Sequence, residues 1–417
     1  MAIAFSLLLS ASLFLPQGGT LPTGFQRVRT PDGSRFLLHK TEGRPVAVWI
    51  YVHRMGMAHD PYQLEGLSAA CLKASLSAQP LREKLASLGA TGLRLETRAR
   101  TSSLQAVLPS DRILAFAALM RERRTRPQLQ GLDQAFLNAH RERVRTFQNR
   151  RDLRPIREMA LATILRDPVR AVLFPPSSKA GSISPPAALL FFQRHNLPDQ
   201  GLTLIEGNFD PALVARGLSH IFNTPSRLQP PLVPPEEPLP SASRILRSHR
   251  PGYALAALAW RIPPGWSQDE LGVLAHALQG AEVPGGEGLS FRAFPSFPSM
   301  GRPSLFALEA RALGPGMSSE ELLRHLRKRV DALLEGKTGR QLLTRANKLQ
   351  RARARGDFDP PETRLSRLGR SILLGTYGGG SPDPTSLLAK ARKLLQGRGE
   401  CANLVDPIPS GAKEEKK

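Results

Sequence analysis

Acidic residues are scarce in this chain: 35 Asp and Glu stand against 58 Lys and Arg, a formal net charge of +23. Such an excess brings nucleic acid to mind first. The motifs that would carry it are missing. There is no zinc finger, no basic strand studded with aromatics and no glycine-lysine phosphate loop. The arginines are spread over the length, as in Arg94, Arg121, Arg123, Arg124, Arg126, Arg141, Arg143, Arg145, Arg324 and Arg327, mostly on helices with a regular apolar stripe. They read as a solvated basic surface, with acidic peptide or an anionic membrane surface as the next candidates. Aromatics make up only 6%. There are two cysteines, too few to frame a disulfide-rich fold and too few to name a redox compartment. Cys71 falls on the apolar face of a helix and reads as a small core residue. No G-x-S-x-G nucleophile motif occurs.

Long apolar runs are absent except at the start, so no later segment is expected to span a membrane. The opening "MAIAFSLLLSASLFLPQGG" has the length of a secretory apolar core followed by small and turn residues, though it lacks the usual basic n-region. Residues 1–19 are read as a signal peptide, which places the mature chain outside the cell or in the periplasm.

What is present fits two α+β domains. The chain has 417 residues, 41% of them apolar, more than one ordinary core needs. "PDG" at 31–33 separates two short alternating runs and predicts a hairpin. Val46, Val48, Ile50 and Val52 alternate with Ala47, Trp49 and Tyr51, which predicts a strand with both faces at least partly covered. Leu64, Leu67, Cys71, Ala74 and Ala78 recur at helical spacing. "TGLRLETRAR" and "SSLQAVLP" predict a second hairpin, and Ser110 is placed to cap the helix that follows. Helices are expected through 133–150 and 155–166, with a Pro/Ser/Gly-rich loop at 175–186. Residues 224–243 carry seven prolines and read as an extended linker. Beyond it the pattern starts again, with Ser267 and Glu270 spaced as a capping box. The expected layout is an N-terminal domain over 20–223, a linker over 224–243, a C-terminal domain over 244–405 and a frayed tail over 406–417.

Three stretches, in this order, carry a family likeness: "DGSRFLLHKTEGRPVAVWIYVHRMGMAHDPYQLEGLSAACLKASL", "FFQRHNLPDQGLTLIEGNFDPALVARGLSHIF" and "WRIPPGWSQDELGVLAHALQGAEVPGGEGLS". Together they make the chain resemble the pitrilysin, insulinase and mitochondrial-processing-peptidase family of zinc metallopeptidases, the inverzincins with the motif H-x-x-E-H. The resemblance implies two homologous domains, each a mostly antiparallel sheet with helices packed on it.

It also implies where a zinc site would be. The family's two histidines and its general-base glutamate share one helical face at i, i+3 and i+4. Matching "GLSAACLKASL" to that helix puts Ala69 at the first histidine, Leu72 at the glutamate and Lys73 at the second histidine. Alanine and leucine have no donor, and a lysine ammonium repels a cation. The distal glutamate ligand falls near Gln148 or Arg150; Glu142 is the one glutamate in that window and its spacing fits poorly. The arginine/tyrosine pair that touches substrate backbone in active members should lie in "FRAFPSFPSMGRPSLF", which has Arg292 and Arg302 but no tyrosine. His53, His59 and Asp60 could be read as a relocated metal site, but three ligands at a standard spacing are absent. They read better as a strand-end histidine and a loop histidine with its neighbour. The glycine-rich "GAEVPGGEGLS" holds Gly285, Gly286 and Gly288, where the family's non-catalytic subunits handle peptide. An ordinary helix-to-strand loop is the plainer reading of it.

The chain is therefore expected to be a pseudo-metallopeptidase with no zinc. It would bind peptide or complete the chamber of a catalytic H-x-x-E-H partner of the same family. A stand-alone periplasmic peptide- or protein-binding module is the alternative. An active zinc peptidase with a non-standard site ranks below both, and a nucleic-acid binder, resting on charge alone, is last.

Overall fold

A computed structural model describes residues 24–61, 63–149, 159, 176–177, 180–224, 244–250, 254–263, 265–281, 288–299, 302–314, 316–355, 360–374, 377, 382–396 and 400–407. The leader, the linker beyond Thr224, Arg150, Gly285, Gly286, the tail from 408 and all but Met159 of the helix expected at 155–166 lie outside these residues. Contacts divide the chain into two compact units.

The first unit is built on β1 (Phe25–Arg29), β2 (Arg35–Lys40), β3 (Val46–His53), β4 (Thr91–Thr97), β5 (Ser102–Pro109) and β6 (Gly201–Gly207), in the order β1-β2-β6-β3-β5-β4. All pairs are antiparallel except β2 with β6. The "PDG" turn forms as its sequence predicts. Gly33 takes the left-handed φ of +90°, and Asp32 Oδ1 accepts from Thr30 Oγ1 at 2.7 Å and Ser34 N at 2.8 Å. Between β3 and β4 run α1 (Leu67–Ser77) and α2 (Gln79–Ser87). After β5 come α3 (Ile113–Thr125) and α4 (Leu132–Asn149). Around β6 lie α5 (Pro185–His195) and α6 (Pro211–Ile221). Ser110 does not cap α3. Ser110 instead opens a single 3-10 turn over Ser110–Arg112, and its buried hydroxyl has no partner among the described residues. The capping rule needs the serine directly ahead of the helix, and the turn moves it too far back.

The second unit repeats this plan. Its strands are β7 (Arg244–Arg250), β8 (Leu255–Arg261), β9 (Leu289–Ser299), β10 (Arg302–Ala312) and β11 (Cys401–Pro407), in the order β7-β11-β8-β10-β9, again with one parallel pair, β7 with β11. Read strand for strand, this is β2-β6-β3-β5-β4. The helices follow suit: α7 (Gln268–Gly280) takes the place of α1, followed by α8 (Ser319–Leu334) and α9 (Gly336–Arg355). Ser267 with Glu270 and Ser318 with Glu321 both form reciprocal capping boxes. Between α9 and α11 (Pro384–Leu395) the chain makes α10 (Pro361–Leu373), which belongs to the first unit. β11 extends two residues into the segment read as tail, because Asp406 is held there by Ser319 N and Oγ at 2.9 and 2.8 Å. The fold is thus α+β, two units each with a mostly antiparallel sheet.

Strand periodicity splits β3 between two cores. Ala47 and Trp49 join Phe36, Leu104, Ile205 and Phe116 on one face. Ile50 and Val52 join Leu37, Leu204, Leu365 and Leu373 on the other. The second cluster exists because α10 lies across that face. A Cβ on Gly369 would come within 2.5 Å of Leu204 Cδ1, so only glycine lets the helix sit this close. Arg370 holds Glu96 at 2.7 Å, Arg364 holds Glu206 at 2.5 Å and Arg54 donates to the Leu373 carbonyl at 2.7 Å.

Candidate functional site

The helix that would carry metal chemistry is α1, and its start is tightly specified. Gly66 precedes it at φ +106°, and a Cβ there would lie 2.9 Å from the His140 backbone nitrogen. The first turn's amides are met from outside the helix. Asp60 accepts from Gly66 N at 2.7 Å, Ser68 N at 2.8 Å and Ser68 Oγ at 2.5 Å, and Arg143 lies 3.3 Å from the same carboxylate. A carboxylate here satisfies otherwise orphaned N–H groups and faces the positive end of the helix. Burial pushes the Asp60 carboxyl above its ordinary range, against the pull of these bonds. Asp60→Ala is expected to cost about 2 kcal/mol, since it removes a cap and leaves Arg143 without this carboxylate; urea denaturation measures it.

The three motif positions do not share an environment. Ala69 is half-buried, Leu72 is only 1% exposed and Lys73 is exposed. Leu72 belongs to a core with Met55, Leu67, Ala70, Cys71, Phe136 and Phe192. Zinc does not fit the residues present, because none of the three offers a lone pair at a free face. The distal position does not come to them either. Arg143 reaches Asp60, His140 Nδ1 reaches the Glu65 carbonyl at 3.0 Å, and Gln130 accepts from Gln79 N at 3.2 Å. α1 and α4 therefore run antiparallel. Gln148, exposed, lies eight residues past His140, about 12 Å further along α4 and on the side away from Ala69.

Of the histidines near α1, His53 is buried and His59 and His195 are half-buried. His53 ends β3 at 0% exposure, with Nδ1 3.0 Å from Asn196 Oδ1. Burial pushes its pKa down to about 3. His59 Nδ1 accepts from Gly56 N at 3.0 Å, and burial takes its pKa to about 4. Its ring lies 5.0 Å from that of His195, which burial also lowers. Among the described residues no three His, Cys, Asp or Glu side chains are grouped to hold a metal. Sequence spacing gave no sign of His195 or Asn196, which meet residues more than 130 positions earlier. Cysteine offers no nucleophile: Cys71 and Cys401 are buried and free, with burial pushing their pKa values to about 12 and about 11.

The other candidate positions sit at the edge of the second sheet. Gly288, at φ +73°, starts the β9 hairpin, and its carbonyl accepts from Leu313 N at 2.9 Å. Arg292 lies exposed on β9 with its guanidinium 5.5 Å from the Phe294 ring centre, and Arg302 opens β10 opposite Ser299. β9, like β4 in the first unit, is an edge strand.

No family sequence model matches the chain, and no curated protein matches it by sequence. Its fold does match solved structures. A protease from Helicobacter pylori superposes with a TM-score of 0.70 at 15% identity, covering 93% of this chain and 100% of that one. The peptidase M16 inactive domain from Pseudomonas fluorescens gives 0.69 at 14%, covering 93% and 99%. The first half of the periplasmic protease PqqL from Escherichia coli gives 0.67 at 14%, covering 94% and 93%. The chain shares the fold of M16-like peptidases.

Proposed function

We propose that this chain is a non-catalytic metallopeptidase subunit that binds peptide and completes the chamber of a catalytic H-x-x-E-H partner. One observation carries the reading: the helix in the catalytic position is capped and packed, yet its general-base position is the core residue Leu72. A helix kept in place without donors serves architecture or binding. Two structures of the same fold are described as an inactive domain and as one half of a protease, which supports a paired arrangement. Peptide can be taken up by strand addition at β4, whose Thr91–Arg94 stretch is exposed, or at β9. Arginine-rich surroundings favour acidic peptide or an acidic partner, so association weakens with salt. The leader and the periplasmic neighbour support a periplasmic location, and among the described residues no helix is long and apolar enough to cross a membrane.

The purified mature chain is expected to carry well under one zinc per chain and to leave a peptide library uncut. Elemental analysis and a cleavage assay check both. One tightly held zinc, lost on mutating His53 or His59, would overturn the reading.

A further inference from the structure

The first unit holds a partly open pocket between the sheet and α3, with about 30 Å³ free for the centre of a water-sized molecule, lined among others by Arg35, Trp49, Tyr51, Arg123, Arg124 and Asn196. That space exceeds what one water needs and admits a small anion. Its wall is rich in donors and positive charge. Arg123 is 4% exposed, gives Nε and Nη2 to Ser75 Oγ at 3.0 and 2.7 Å, and has no carboxylate within ion-pair reach among the described residues. Arg35 donates Nε to the Gly201 carbonyl at 3.1 Å. Arg124 is paired with Asp32 and Asp199 acts favourably on Arg35, which leaves Arg123 as the guanidinium of the three without a carboxylate among the described residues. Two further donors are buried with no partner among the described residues: Trp49 Nε1, on a residue 1% exposed, and Asn196 Nδ2, on one 2% exposed. The acceptor of Asn196 is already taken by Tyr51 OH at 2.9 Å and His53 Nδ1.

A buried unpartnered donor costs stability of the order of 1–3 kcal/mol, and a buried unpaired cation costs more. Unpartnered donors and one cation without a carboxylate belong to residues that line the same small pocket, and an anion there would serve them together. We infer that this cavity binds a halide ion, chloride under ordinary conditions, held by the Arg123 guanidinium and the donors of Trp49 and Asn196. Burial lowers the Arg123 pKa to about 10, which leaves it charged at neutral pH. Water alone would satisfy the donors but leave the charge of Arg123 unopposed.

The full-length mature chain tests this. Melting in sodium chloride should exceed melting in sodium gluconate at equal ionic strength by about 2–4 °C once the site fills, with a saturable dependence on chloride. Arg123→Met should abolish the difference, and Arg121→Met, a surface arginine, should keep it. The surface control matters because a chain of charge +23 is screened by any salt. A crystal of the unaltered chain soaked in bromide should show an anomalous peak beside Arg123 and Trp49, which keeps the test independent of how the variants fold. An unsaturable salt effect shared by both variants, or a bromide crystal with only water in the cavity, would overturn the inference.

Discussion

Leu72→Glu is expected to lower the unfolding free energy by about 4 kcal/mol or more, because the carboxylate would be buried with no partner in place of a well-packed leucine. Leu72 is 1% exposed, among Met55, Phe136 and Phe192. Ala69→His and Lys73→His, at a half-buried and an exposed position, should each cost less than about 1 kcal/mol. The triple variant that spells H-x-x-E-H therefore loses its stability at one residue. Adding Gln148→Glu should not raise its zinc affinity, because Gln148 lies about 12 Å beyond the contact with α1 along α4. Urea denaturation of the single variants and zinc titration of the combined ones check this. A stable Leu72→Glu chain would mean that α1 turns a different face to its core.

Acid should destabilise the first unit strongly. An unfolded histidine titrates near 6.5. In the fold, burial takes His53 to about 3 and His59 to about 4. Below pH 6.5 the unfolded chain binds more protons at these sites, so stability falls as pH drops through 6.5 toward 4 and then 3. At pH 5 the two groups together account for a loss of about 4 kcal/mol relative to pH 7.5, and His195 adds in the same direction. Asp60, whose pKa burial raises, opposes this because protonating it favours the folded state. Denaturation between pH 7.5 and 5 measures the net slope. His59→Asn keeps an acceptor for Gly56 N and should remove about half of the histidine contribution. Stability flat from 7.5 to 5 would show that these histidines reach water when folded.

Much of the architecture was written in local pattern. The alternation of Ala47, Trp49 and Tyr51 against Val48, Ile50 and Val52 named a strand with two covered faces. The Ser267–Glu270 pair marked a helix start that the structure reproduces to the hydrogen bond. The repeated order of elements foretold two sheets of like topology. What stayed hidden depends on residues far apart in sequence. Nothing in Pro361–Leu373 says that its apolar face covers β3 and β6 rather than the sheet of the second unit. Asp60 reads as a loop residue or a metal ligand until Gly66 N and Ser68 N are seen on its oxygens. The motif positions Ala69, Leu72 and Lys73 were legible as residues without donors, but the burial of Leu72 was not. Gln148 was chosen by sequence distance, which cannot register the antiparallel run of α1 against α4.

The central claim is that the chain works only in company. The most direct measurement assays a peptide library with this chain alone, with an intact H-x-x-E-H chain from the same source alone, and with both together, alongside size-exclusion chromatography of the mixture. The account predicts no cleavage by this chain, co-elution of the two, and cleavage by the pair well above that of the catalytic chain alone. A catalytic chain fully active by itself, never co-eluting with this one, would contradict it.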